Sequence, residues 1–168
     1  MQKIKVAEIF YSIHGEGRYM GVPSIFLRTF GCNFQCQGFG MPKGVLSTER
    51  ETIDPEQYTD YKQLPLVHTG CDSYPSWDVR FKHLSPVLTT EEIAKKMLEL
   101  LPYKQWRDEH LVITGGEPLL GWQRAYPELL NRCYNLKDVT FETNGTQEIF
   151  EDLETELIRW SDWLGGFD

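Results

Sequence analysis

Hydrophobic and polar positions divide the chain into two ordered stretches with a polar interval between them. Lys3 to Tyr11 alternates loosely and predicts a short strand, and the glycine-rich HGEGRYMG of His14 to Gly21 predicts a turn. Ser24 to Phe30 (SIFLRTF) is β-branched and aromatic, a buried strand carrying one charge, Arg28, which needs a partner. From Gln37 to Gly70 the apolar order dissolves into polar residues and proline. A stretch of that length without secondary structure is uncommon inside a compact domain and usually functional, so it reads as an insertion across the mouth of a site. Order returns at Thr89. Thr89 and Glu92 stand at capping-box spacing before an apolar stripe of Ile93, Met97 and Leu100. His110 to Thr114 predicts a strand, Trp122 to Tyr134 a helix, Asp138 to Glu142 a strand, and Ile149 onward an acidic helical tail ending in WSDWLGGFD. Helices alternating with strands imply a parallel sheet of about four strands, with ligand-binding loops at the strands' C-terminal ends.

Composition narrows the classes. The 168 residues suit a single domain, 1–168, and a formal net charge of -8 argues against a duplex nucleic-acid binder. No apolar run is long enough to span a membrane, and the N-terminus lacks a secretory core, so a cytoplasmic protein is expected. Four cysteines in such a chain favour metal or catalytic duty over disulfides.

Three constellations carry chemistry. Cys32 and Cys36 form a C-x-x-x-C pair, and Cys71 follows after 34 intervening residues. Soft thiolates clustered after a strand select zinc or iron–sulfur, and three of them leave one iron of a four-iron cluster open to a chelating ligand. Cys133, inside a predicted helix, reads as a small buried hydrophobe. Thr114-Gly115-Gly116-Glu117-Pro118 and Glu142-Thr143-Asn144-Gly145-Thr146 each end a predicted strand. Taken singly, either is an ordinary turn.

Taken together, the C-x-x-x-C pair, GGEP and ETNG in this order resemble radical SAM enzymes. The opening EIFYSIHGEGRYMGVPSIFLRTFGC and the run Cys71-Asp72-Ser73 through Trp77 resemble the 7-carboxy-7-deazaguanine synthase family across residues 6 to 150. The resemblance implies an α/β fold of the partial, incomplete β/α-barrel type, with the cluster loop at the C-terminal strand edge and 37–70 inserted in that loop. It implies a carbon–nitrogen lyase that converts 6-carboxy-5,6,7,8-tetrahydropterin to 7-carboxy-7-deazaguanine, a deazapurine precursor of the queuosine type. The cofactors implied are a [4Fe–4S] cluster on Cys32, Cys36 and Cys71, S-adenosylmethionine (SAM), and Mg2+ beside Ser73. SAM contacts fall on Gly70, Asp72, Gly116, Glu117 and Asn144. Substrate contacts fall on Ile13, His14, Gly15, Arg28 and Thr114, and no catalytic side chain is assigned beyond cluster and SAM. An electron donor such as flavodoxin and a homodimer are implied as partners, with no direct nucleic acid and no membrane.

Three departures from the family pattern stand out. Gly70 stands where the family often has an aromatic or bulky residue before the third cysteine, Phe39 occupies the position of that cysteine at unbroken spacing, and no Ser-x-Lys motif follows Asn144; His14 also replaces the usual Gln. The alternatives are an activase that makes a glycyl radical in a partner enzyme, which would keep the short cysteine spacing, and a non-catalytic metal-binding module.

Overall fold

The computed structural model describes residues 1–163; the last five residues of the expected tail lie outside the described residues. Five strands form one open sheet: β1 (Lys3–Ile13), β2 (Pro23–Thr29), β3 (Val87–Thr89), β4 (His110–Gly115) and β5 (Val139–Phe141). Their order is β3-β1-β2-β4-β5. The expectation of a parallel sheet holds for β2, β4 and β5 and is corrected for the rest, because β1 runs antiparallel to both β2 and β3. The link between β1 and β2 is residues 14–22, with one 3-10 turn at Gly17–Tyr19, shorter than the crossover that two parallel strands need.

Three α-helices cover one face: α1 (Thr90–Leu100), α2 (Tyr126–Arg132) and α3 (Glu151–Trp163). The capping box is formed: Thr89 Oγ1 accepts the Glu92 N–H, and the Glu92 carboxylate accepts the Thr89 N–H at 2.8 Å. Pro102 holds Leu101 extended and ends α1 there. The expected stripe shifts by one position at this end: Leu101 is buried and Leu100 is exposed. The helix expected over 122–134 is shorter. A 3-10 turn at Gln123–Ala125 precedes it, since Pro127 has no N–H to donate and fits only in the first helical turn. Cys133 packs in the main core at the end of α2, its thiol pushed up to about 12 by burial.

The two faces of the sheet differ in chemistry. Ile25, Leu27, Leu111 and Ile113 point into the helix-covered core with Ile93, Met97 and Tyr126. On the opposite face the register aligns Glu8, Phe10 and Ser12 with Arg28, Phe26 and Ser24, and these with Thr114, Val112 and His110. Side chains alternate across a strand, so these residues share one surface. A register shift between Val6 and Glu8 sets that alternation for the rest of β1.

The helical elements of residues 37–70 are short 3-10 turns, at Glu49–Thr52, Pro55–Gln57 and Tyr61–Gln63. They are nonetheless organised. Ile53, Tyr58 and Leu64 pack on a second apolar cluster of Val67, Tyr74, Phe81 and Leu84. Polar groups do the remaining work. The Glu49 carboxylate accepts the N–H groups of His68 and Thr69, each at 2.8 Å, and Tyr74 donates to the Pro65 carbonyl.

Candidate functional site

The loops following β2, β4 and β5 meet at one edge of the sheet, and hydrogen bonds fasten them to one another. Glu117 N–H donates to the Gly31 carbonyl at 2.7 Å, and Trp122 Nε1 donates to the Phe30 carbonyl. A Cβ on Gly116 would stand 2.4 Å from the Gly31 oxygen and 2.7 Å from Cys32 Cβ, so the GGEP loop lies directly on the cysteine loop. Asn144 Nδ2 donates to Asn33 Oδ1 at 3.2 Å and stands 3.9 Å from Cys32 Sγ.

Glu117 is wholly buried. Its carboxylate accepts the Leu119 and Asn144 N–H groups and the Thr143 hydroxyl, so it ties the GGEP loop to the ETNG loop. That is more engagement than the turn reading of either motif predicts. A buried carboxylate stays acceptable only with such donors.

Cys71 comes beside the first two cysteines through three ties that span the polar interval. Phe39 and Gly70 exchange backbone hydrogen bonds at 3.0 and 2.8 Å, forming an isolated β-bridge. Gly31 N–H donates to the Ser76 carbonyl at 2.7 Å, and Arg28 Nη1 donates to Ser73 Oγ at 2.8 Å. Residues 40–69 therefore leave and return through one neck, and Cys71 follows directly on the partner of Phe39. Gly38 makes the neck possible: its φ is +69°, and a Cβ there would lie 1.9 Å from the Gly70 oxygen.

All three thiols are free, and Cys36 is exposed. Burial first, then the fields of Cys71 and Cys32, push the Cys36 thiol up, so the three sulfurs share one neighbourhood. Among the described residues no three His, Cys, Asp or Glu side chains converge on a single ion. Three soft thiolates at one mouth, with N–H donors near two of the sulfurs, suit the cluster.

The remaining predicted residues fall along the polar sheet face. Arg28 gains the partner it required in Glu8, at 3.8 Å, but its buried Nε finds no hydrogen-bond acceptor. Burial raises the Glu8 carboxyl despite the opposing pull of Arg28. Thr114 lies beside Arg28 on β4 and is buried. Phe10 and Phe26 stack with ring centroids 4.8 Å apart in the middle of the face. His14 lies at the far end, buried, stacked on Phe26, with Nε2 3.7 Å from Glu142 Oε1. Ile13 is exposed, opposite Pro23 and five positions along β2 from Arg28, and Gly15 lies just beyond it. These two stand apart from the Arg28 end.

Several residues near this site carried no signal in the sequence. Tyr19 stacks on His110 at 4.0 Å and donates to Asp138, while His110 bonds Thr140 and is held near pKa 4, by burial first and then by His14. Tyr61, in the polar interval, feels the fields of Arg28, Glu8 and Asp72, and burial pushes its phenol up to about 12. Only the cross-strand register brings Glu8 to Arg28, so no local motif could have announced that pair.

No family model matches the chain. Among curated proteins it is 32% identical over 160 residues to the 7-carboxy-7-deazaguanine synthase of Halobacterium salinarum, covering 94% of this chain and 45% of that one. It is 28% identical over 158 residues to the synthase of the same name from Buchnera aphidicola, with 93% and 57% covered. It is 29% identical over 143 residues to that of Pyrobaculum aerophilum, with 85% and 46% covered. The chain thus spans about half the length of the curated relatives it matches. The crystal structure of QueE from Escherichia coli aligns with a TM-score of 0.49 at 21% identity, covering 88% of this chain and 55% of that one, too loose a likeness to carry an argument.

Proposed function

We propose that this chain, related in sequence over nearly all its length to the 7-carboxy-7-deazaguanine synthases, is a radical SAM enzyme. In this reading it converts 6-carboxy-5,6,7,8-tetrahydropterin to 7-carboxy-7-deazaguanine and acts as a carbon–nitrogen lyase. Its fold is then a partial barrel of the radical SAM type, one domain with 37–70 inserted in the cluster loop. The observation that supports it most is the closed neck at Phe39 and Gly70, which delivers Cys71 to Cys32 and Cys36 across the polar interval.

Those three cysteines would hold the [4Fe–4S] cluster. Bound there, the cluster would supply the electron for reductive cleavage of SAM, the source of the radical chemistry of this reading. Gly70, Asp72, Gly116 and Asn144 line the SAM side. Glu117, assigned by analogy to the methionine amino group, is already engaged by protein donors, so its first duty is to orient Asn144 and Thr143.

Arg28 receives the substrate carboxylate. Its Nε, which faces Glu8 at 3.8 Å without a hydrogen bond, and its bond to Ser73 leave a polar end where a carboxylate, and Mg2+ at Ser73, would be held. The stacked Phe10 and Phe26 offer a flat ring a surface to lie on, with Thr114 beside Arg28 and His14 with Glu142 toward the opposite end. Ile13, the last residue of β1, and Gly15 flank His14. Flavodoxin or a similar one-electron donor, a homodimer and a cytoplasmic location complete the proposal; among the described residues no helix is long and apolar enough to cross a membrane.

The test is anaerobic reconstitution with iron and sulfide, followed by assay with SAM, reductant, Mg2+ and the carboxytetrahydropterin. Deazaguanine product is expected, and Cys71→Ala should take up no cluster. A colourless, zinc-loaded protein would remove the radical chemistry. Deoxyadenosine without the deazaguanine would keep the enzyme class and remove the substrate.

A further inference from the structure

We propose that the Trp77 indole N–H is a fixed hydrogen-bond donor to the Cys71 thiolate, held in place by Arg50 from the 37–70 lobe. The pair would bias the cluster toward its reduced state. This inference rests on the cluster proposed above and deepens it.

The geometry starts with the sulfur. Trp77 Nε1 lies 3.4 Å from Cys71 Sγ, a normal length for an N–H···S bond. The ring is not free to turn away. The Arg50 guanidinium covers it at 5.0 Å from the ring centroid. Arg50 is itself anchored: Nη1 donates to the Ser47 carbonyl at 2.9 Å, and Nε lies 3.4 Å from the Asp78 carboxylate. Asp78 is buried and fixed in turn by Arg80 at 2.7 Å. The lobe, the indole and the thiolate form one chain of contacts, with a cavity of only about 20 Å³ beside Cys36, Arg50 and Cys71.

Trp77 also packs against the second apolar cluster. Packing alone does not require the indole N–H to face a sulfur, nor a guanidinium to cover the ring. The three thiols differ in this respect. Cys36 is exposed, and Asn144 Nδ2 stands 3.9 Å from Cys32, a longer and weaker approach than that of Trp77 to Cys71.

The electrical consequence follows from charge. A hydrogen bond to sulfur strengthens as negative charge accumulates on it, and one-electron reduction adds such charge to the cluster and its thiolates. A donor at Cys71 therefore stabilises the reduced state more than the oxidised one and raises the reduction potential. Arg50 acts in the same direction through its positive charge.

The experiment is an EPR-monitored redox titration of the reconstituted full chain, wild type against Trp77→Phe and Arg50→Met, with iron and sulfide content measured in each. Trp77→Phe keeps the aromatic ring and removes the N–H. It is expected to hold the same cluster content, with a midpoint lower by about 59 mV, the one-electron equivalent of a tenfold change in the oxidised-to-reduced ratio. Arg50→Met should move the midpoint the same way by less. An unshifted midpoint in a fully loaded Trp77→Phe protein overturns the inference and leaves the cluster reading intact. Failure of the wild type to bind any cluster removes both. Should Trp77→Phe not fold, wild-type protein labelled with indole 15N decides the matter: a 15N coupling to the reduced cluster in pulsed EPR supports the bond, and its absence overturns it.

Discussion

The sheet-and-helix body and the 37–70 lobe hold themselves together by different means. In the body, buried aliphatic and aromatic side chains from β1, β2, β4 and three helices form one continuous core. The lobe has a small cluster completed by segment 74–84, and its shape depends on side chains that satisfy its own backbone: Glu49 on His68 and Thr69, Gln37 on Met41 and Gly44, Arg80 on Arg50. A strand or helix satisfies its backbone internally, whereas a long irregular excursion must recruit side chains for it. Apolar patterning therefore announces the body, and nothing comparable announces the lobe.

The contrast can be broken at its strongest point by Leu111→Ala on β4. Leu111 is fully buried in the main core, so the loss is expected to reach about 3 kcal/mol of global stability in urea unfolding. A cost under about 1 kcal/mol would show that the body is not one packed unit.

The polar sheet face should respond to acid. Burial holds His110 near pKa 4, against an ordinary value of 6.5, so between those limits the unfolded chain binds the extra proton and the folded one does not. Stability is therefore complete above pH 6.5 and falls as pH drops toward 4, by about 2 kcal/mol after discounting for solvent screening. Replacing His110 with Gln should flatten that part of the stability–pH curve, and an unchanged slope would assign it to other groups.

The smallest effect on global melting is expected from the lobe. Phe81→Ala removes an aromatic of the cluster on which the lobe packs, set edge-on to Tyr74. Limited proteolysis should then cut between residues 40 and 69 while the helical circular dichroism and main transition persist. If body and lobe melt together, the two are a single cooperative unit.

Much of the body was legible residue by residue. Thr89 with Glu92 marks the start of α1, HLVIT marks β4, and Arg28 stands out as a charge among apolar neighbours needing a partner. Less was legible where the signal depends on a neighbour distant in sequence. Leu100 and Leu101 are both apolar, and only the way α1 ends against Pro102 buries the second and exposes the first. Glu117 reads from the sequence as part of a strand-end turn and, by resemblance, as a SAM contact. It is buried because Thr143 and Asn144 supply donors from another loop.

What the sequence determined by itself is the set of local units and their chemistry: strands and capped helices from periodicity, three thiols, and two strand-end motifs in a recognisable order. These depend on neighbours a few residues apart, where backbone sterics and side-chain alternation act directly. The tertiary structure alone decided that β1 runs antiparallel, that Glu8 meets Arg28, and that Phe39 bonds Gly70 so that Cys71 returns beside Cys32 and Cys36. Those pairings join residues far apart along the chain. Their free energy comes from register and packing that exist only once the sheet and lobe have closed.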